Sequence, residues 1–470
     1  MKRFKRISAL AVSAALVLSM GLFGACSPDE ESDGPGDGPS NEPDGTAVYS
    51  LTARTEECAL LVGDEDYASA ATSFLAKKDG MKVDSPAIAY TVADPSIAQV
   101  SESGVVTAKA YGKTEVVATY KTATARVPVY VYERTAAENV NSFDEQYVNR
   151  YGRQYFTDGK LNVDHVSSGI EVAFLGDHLT VDVDVENDSD AWSKFDVYVH
   201  VYIDGDTTGE FKVLTQGKYT LAEDLGEGIH TVRMLKASEG DRGKFTVNSF
   251  EAEEFLRIPE KSDLKIEFIG DSITAGYGNL AVPDATGKVP TWSVTNSDGC
   301  VSYAALTGQK LGADFSVVAL SGICLKSDVW GANVNMTQLH SYISYRNRNP
   351  YTYDAEMDVV VLALGTNDSS AIASTEVDYN GNQFRLDYIE FLRHLRTIYP
   401  NAYVVCIYGM MGSNTAVKNG IQKAIETVDD AKMSYVAFTQ NGAGSNGHPS
   451  AKAHAAYAEQ LTAYVRSLIG

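Results

Sequence analysis

LKIEFIGDSITAGYG, residues 264–278, decides how this chain reads. Leu264 to Gly270 form a short apolar run of the kind that suits a strand buried on both faces, and the run passes straight into Gly-Asp-Ser. Ser272 therefore stands on the turn at the carboxyl end of a strand, where a hydroxyl can face solvent. Taken alone, the triplet reads equally well as a tight turn with a serine at a helix start. Downstream the pattern repeats in DFSVVAL (314–320), MDVVVLAL (357–364), AYVVCIY (402–408) and MSYVAF (433–438). Amphipathic stretches lie between these runs, such as GNQFRLDYIEFLRHLRTIYP (381–400), in which Phe384, Tyr388, Phe391, Leu392 and Leu395 share a face. Alternating strand and helix predicts a parallel sheet with helices on both sides. Ligands of such sheets bind outside the carboxyl ends of the strands.

Three more residues occupy that position. Gly322 in ALSGICL follows the second run, Asn367 in LGTND follows the third, and His448 in NGHPS comes after the last. Proline favours the first helical position, so Pro449 is expected to open the final helix, PSAKAHAAYAEQLTAYVRSLI (449–469), with His448 on the loop before it. Singly, Gly322 reads as a turn glycine and Asn367 as a self-bonding turn asparagine. In this order, at strand ends, the four blocks resemble the SGNH hydrolase superfamily from Leu264 to Gly470. Thr274 stands where a GxSxG elbow would need its second glycine, which argues against the other serine-esterase fold, the α/β-hydrolases.

The resemblance implies an α/β, flavodoxin-like domain with Ser272 as nucleophile and His448 as its base. The oxyanion donors would be the backbone N–H groups of Ser272 and Gly322 and the side-chain amide of Asn367. The residue types suit acyl transfer, because a serine hydroxyl is a poor nucleophile near neutral pH without a base, and the tetrahedral intermediate needs donors aimed at its oxygen. One position departs from the pattern: most SGNH enzymes carry an aspartate three residues before the histidine, and Ser445 stands there in GSNGHPS. Some relatives in carbohydrate esterase family two use a serine–histidine dyad held by a backbone carbonyl, and this chain resembles those. The Ser445 hydroxyl is the other candidate holder. His340, His394 and His454 read as structural or surface positions.

Ahead of this domain the chain is expected to be all-β. Residues 47–133 alternate apolar and polar positions, as in TEVVATY (114–120) and ARVPVYVY (125–132). DPSIAQVSESGVVTAKAYGKTEVVATY (94–120) resembles the bacterial Ig-like domain, group two, a spacer or adhesive module. Residues 134–262 continue with LTVDVDVE (179–186) and FDVYVHVYIDGD (195–206), the latter ending on the turn signal Asp204-Gly205, and suit a jelly-roll sandwich. The stretches 148–186 and 228–253 resemble the N-terminal domain of carbohydrate esterase family two.

The chain opens MKRFKRISALAVSAALVLSMGLFGAC, a basic start, an apolar run and small residues before a cysteine, which reads as an export signal over 1–25. Its end resembles a lipobox, with Cys26 as the lipidated residue. Residues 26–46 are acidic and rich in Pro, Gly and Ser, as a disordered tether would be. Cleavage removes four basic residues and no acid, taking the net charge from −23 to −27, a field that argues against nucleic-acid partners. The five cysteines are widely spaced, with no metal-ligand pattern, so no metal or cofactor is expected; pairing of Cys300 with Cys324 is left open.

A jelly roll followed by an SGNH domain resembles carbohydrate esterase family two throughout, which implies an exported esterase removing O-acetyl groups from xylan- or mannan-type polysaccharides. Any membrane contact would come through a lipid anchor at Cys26. Trp292 and Trp330 flank the glycine block and are candidates to stack on sugar rings; Trp192 in the middle domain is a lesser one. An esterase for other short acyl esters and an inactive glycan-binding lipoprotein are the alternatives. Intact Ser272, Gly322, Asn367 and His448 argue against the last.

Overall fold

The computed structural model describes residues 47–470 apart from 142–143, 190–193, 261, 354 and 375–377. The expected signal, Cys26, the tether and Trp192 lie outside the described residues. Through residue 257, strands carry the chain, and one of them, β1 (Ala123–Asn141), organises both β domains. Over 123–131 it pairs antiparallel with Gly112–Tyr120, and over 129–132 parallel with Cys58–Leu61. Over 133–141 it pairs antiparallel with β2 (Gly243–Arg257). Position 133 thus falls inside a continuous strand and not in a linker. The passage is marked by a register shift between Arg134 and Ala137, with Ala136 at φ +58, so a bulge turns the strand as it leaves one core for the next.

The alternation read from sequence becomes burial. Val127, Val129 and Val131 of β1 join Leu60, Val106 and Val116 in the Ig-like core. In the middle, β-rich domain Val181, Val183, Val199, Val201, Phe245 and Val247 face inward together. Tyr132 and Leu61 pack with Leu175, Leu256 and Ile258 where the two β domains meet.

The C-terminal domain is built on five parallel strands, β3 (Lys265–Gly270), β4 (Asp314–Ala319), β5 (Val359–Ala363), β6 (Tyr403–Tyr408) and β7 (Met433–Ala437), in the order β4-β3-β5-β6-β7. The order reverses between β3 and its two neighbours, β4 and β5, which is where open sheets of this kind leave a crevice at their carboxyl ends. Each strand feeds both faces. Ile269, Val318, Val360 and Leu362 pack with Phe384, Tyr388 and Leu392 of one helix layer, while Phe268, Val317 and Val361 pack with Tyr303, Tyr457 and Leu461 of the other.

A buried ion pair joins this domain to the middle one. Arg153 donates to Glu267 of β3 at 2.8 Å, with both side chains 1% exposed. His340 at 2.9 Å, the Tyr399 hydroxyl at 3.1 Å and the Ser316 hydroxyl at 3.5 Å also meet the carboxylate. Burial alone would raise the Glu267 carboxyl; Arg153 and His340 overcome it and hold the group far below the usual carboxylate range. Among the described residues all four cysteines are buried free thiols, and Cys300 points its sulfur at the Lys236 carbonyl 3.5 Å away, so Cys300 and Cys324 do not pair. No helix of the described residues is long and apolar enough to cross a membrane.

Candidate active site

Ser272 opens a one-turn helix, α1 (Ser272–Ala275), directly beyond β3. Asp271 caps it, accepting from the Ile273 N–H at 3.0 Å. The hydroxyl of Ser272 meets His448 Nε2 at 2.8 Å. On its other side, His448 Nδ1 donates to the Ser445 backbone carbonyl at 3.1 Å. That bond places the ring proton on Nδ1 and leaves Nε2 as the acceptor for the serine proton. The Ser445 hydroxyl is engaged elsewhere, donating to the Pro290 carbonyl at 2.9 Å and accepting from Asn296 Nδ2 at 3.3 Å. Burial holds His448 down to about 4, with the bonds to backbone opposing, so the imidazole is neutral at rest.

The histidine loop is fastened to the serine loop. Ser445 N–H donates to the Gly278 carbonyl at 3.0 Å and Ala451 N–H to the Asn279 carbonyl at 2.8 Å, while Gly444 N–H closes the histidine loop on the His448 carbonyl at 2.7 Å. Gly278 sits at φ +61, and a Cβ there would lie 2.4 Å from that of Ser445, so a side chain would force the two loops apart. Pro449 does not open the last helix: α2 (Ala451–Ile469) begins two residues later, capped by the Ser450 hydroxyl, which leaves the proline in the approach to the cap. His454 on that helix turns inward and accepts from the Tyr303 N–H at 3.0 Å.

The glycine block, 321–325, is pinned at three points. Ser321 donates from its N–H and from its hydroxyl to Glu239 of the middle domain, each at 2.7 Å. The Ile323 carbonyl accepts from Asn367 Nδ2 at 2.9 Å, and Leu325 N–H donates to Asp368 at 3.0 Å. Gly322, between the first two, takes φ +78, a left-handed conformation that favours glycine. The structure therefore brings Asn367 to the Gly322 loop, with one hydrogen of its amide used on the Ile323 carbonyl. Burial pushes the carboxyl of Asp271 up to about 6 and that of Asp368 up to about 7, with backbone hydrogen bonds opposing it at each.

The two tryptophans differ. Trp330 is 64% exposed and lies against Gly322, its Cβ 3.2 Å from where a glycine Cβ would be. Trp292 is half-buried, stacked on Tyr277 with ring centres 5.4 Å apart and lying under the Arg242 guanidinium at 4.7 Å. Tyr277 in turn packs on the His448 ring at 4.3 Å. Sequence reasoning missed Tyr277, Asp271 and Asp368, although all three sit inside its own motifs. It also missed Glu239 and Arg242, for which no local signal exists. Among the described residues no group of three metal-ligating side chains comes together. A cavity of about 700 Å³ opens at the other end of the sheet, where Lys265 and Asp314 begin their strands, away from Ser272.

Comparison with known proteins matches three successive stretches of the chain to known families. Residues 67–131 match the bacterial Ig-like domain (group 2), 151–259 the carbohydrate esterase 2 N-terminal family, and 268–466 the GDSL-like lipase/acylhydrolase family. The chain is 29% identical over 326 residues to the cellulase/esterase CelE of Acetivibrio thermocellus, covering 64% of this chain and 37% of that protein. It is 28% identical over 188 residues to an acetylxylan esterase/glucomannan deacetylase of Cellvibrio japonicus, of which it spans 51%. A family two carbohydrate esterase from Clostridium thermocellum, solved with cellohexaose, superposes with a TM-score of 0.61 at 26% identity over 69% of this chain and 99% of that one. An acetyl xylan esterase from Butyrivibrio proteoclasticus shares the fold, with a TM-score of 0.62 at 22% identity over 72% of this chain and 99% of that one.

Proposed function

We propose that this chain, which joins a carbohydrate esterase 2 N-terminal domain to a GDSL-like acylhydrolase domain behind an Ig-like domain, is an exported carbohydrate esterase that removes O-acetyl groups from xylan- or mannan-type polysaccharides. The observation that carries the reading is the line Ser272 Oγ, His448 Nε2, His448 Nδ1, Ser445 carbonyl, at 2.8 and 3.1 Å. The names of the relatives supply the substrate class.

In the first half-reaction Ser272 Oγ attacks the acetyl carbonyl carbon and its proton passes to His448 Nε2. The oxygen that becomes negative is met by the N–H groups of Ser272 and Gly322 and by the second hydrogen of the Asn367 amide. Collapse breaks the ester C–O bond as His448 returns the proton to the sugar oxygen. Water then attacks the acetyl-serine, giving a proton to His448; acetate leaves, and the proton goes back to Ser272. The imidazolium formed in each half is stabilised by the Ser445 carbonyl, so the machinery is a dyad. No cofactor enters.

Trp330 presents an open ring beside the oxyanion loop and is the residue proposed to stack on a sugar; Trp292, engaged by Tyr277 and Arg242, serves as wall. Cys26 is proposed as a lipid anchor, with the acidic segment and the Ig-like domain as spacers. Acetate release from acetylated xylan, acetylated glucomannan and p-nitrophenyl acetate by the full chain and by Ser272→Ala tests the reading. Release by the wild type alone is expected; none from either, or equal release by both, overturns it. Activity on p-nitrophenyl acetate without activity on either glycan would favour an esterase for other short acyl esters.

A further inference from the structure

We propose that Glu239, a residue of the middle domain, is a positioning residue for the oxyanion loop: its carboxylate holds Ser321 by two hydrogen bonds and thereby sets the direction of the Gly322 N–H. The inference rests on the esterase reading for its consequence in catalysis, and on the geometry alone for its structural part.

Glu239 is 3% exposed and precedes a short 3-10 turn, Gly240–Arg242, that projects from the middle domain towards Ser321. The backbone of that turn is fixed by two cations. Lys236, wholly buried, donates its ammonium to the carbonyls of Ser238 at 2.6 Å and Glu239 at 2.7 Å. Arg346 donates to the Gly240 carbonyl at 2.9 Å. Arg242, next along, lies over the rings of Phe195 at 4.8 Å and Trp292 at 4.7 Å. The carboxylate is therefore delivered from a rigid base to a loop that belongs to another domain.

At that loop, Glu239 accepts from both donors of Ser321, one oxygen to the N–H and the other to the hydroxyl. A two-point bond to a single residue fixes orientation as well as position. The next peptide carries the Gly322 N–H, and two peptides further on lies the Ile323 carbonyl that accepts from Asn367. Two of the three oxyanion donors thus take their geometry from a segment pinned by Glu239 at its first residue. Oxyanion donors act on the transition state, and small errors in their placement lower turnover without changing ground-state binding.

The test compares full-length wild type with Glu239→Ala, Glu239→Gln and Ser321→Ala, reading kcat and KM on p-nitrophenyl acetate and the hydrogen–deuterium exchange of the peptide spanning 320–325. Glu239→Ala is expected to lower kcat by about 10- to 100-fold with KM within about twofold, below the about 100- to 1,000-fold typical of losing a donor outright. It should also speed exchange of that peptide at least about tenfold. Glu239→Gln keeps an oxygen for the N–H and offers an amide to the hydroxyl, so it should recover most of both, and Ser321→Ala, which keeps the N–H bond, should show a smaller form of the same change. If Glu239→Ala does not fold, Ser321→Ala decides, with Glu239→Gln as the near-wild-type control: slower kcat at constant KM with faster local exchange in Ser321→Ala supports the proposal, and wild-type kcat and exchange in Ser321→Ala overturn it. Wild-type kcat and wild-type exchange in any folded Glu239→Ala, or a loss that Glu239→Gln does not relieve, overturns it. If the wild type itself releases nothing, the esterase reading fails, while the exchange data still decide whether Glu239 sets the loop.

Discussion

At Ser445 the backbone, and not the side chain, faces the His448 imidazole. Ser445→Ala removes a hydroxyl that is bonded to Pro290 and Asn296 and leaves the carbonyl on His448 untouched. Its kcat should stay within about fivefold of wild type, since a lost neutral hydrogen bond is worth about 1 kcal/mol; a loss of a hundredfold in steady-state assays would mean that the hydroxyl orients the base after all. Asn367→Ala, by contrast, takes away a proposed oxyanion donor and the tie to Ile323, and should cost about 100- to 1,000-fold in kcat. The pH dependence follows from His448. The base must be neutral, and burial holds its titration down to about 4, so kcat/KM should persist as pH falls and drop only as pH passes through about 4. An imidazole in water would place that limb at about 6.5, and a measured pH–rate profile distinguishes the two.

Among the elements, β3 carries two different loads along six residues. Its carboxyl end delivers Ser272, and Glu267 at its middle receives Arg153 from the neighbouring domain. Because both partners are fully buried, Arg153→Ala strands a carboxylate among Tyr399 and His340 and should destabilise by about 3–5 kcal/mol, read as a lowered denaturant midpoint. The apolar runs that predict β3 and the other four strands imply burial on both faces, and the structure sends alternate residues to the two helix layers. Those runs do not show that Glu267 is ion-paired, because a lone glutamate within an apolar run carries no mark of the arginine that meets it from 114 residues away.

Over the whole molecule, the middle domain is part of the site's construction. It supplies Arg153 to β3, Val166 to the core beneath it, Glu239 to the loop at 321–325 and Arg242 to the stack that runs through Trp292 and Tyr277 to His448. A fragment of residues 263–470 should therefore lose turnover of p-nitrophenyl acetate as completely as turnover of acetylated xylan. Retained activity on the small ester, measured beside the full chain, would make the middle domain a substrate-binding attachment instead. The two β domains are joined just as closely, since β1 runs through both cores.

Apolar runs and local motifs were enough to predict the parallel sheet, to place Ser272, Gly322, Asn367 and His448 beyond strand ends, and to show that no aspartate stands three residues before His448. Those features are legible because a buried strand must be apolar along its length and a strand-end loop must carry its own special residues. What holds His448, which tryptophan stays open, and the reach of Glu239 and Arg242 into the site were decided by tertiary structure alone. The holder of His448 is a backbone carbonyl, which every residue possesses. The others are contacts between distant segments, whose partners leave no trace in each other's local sequence.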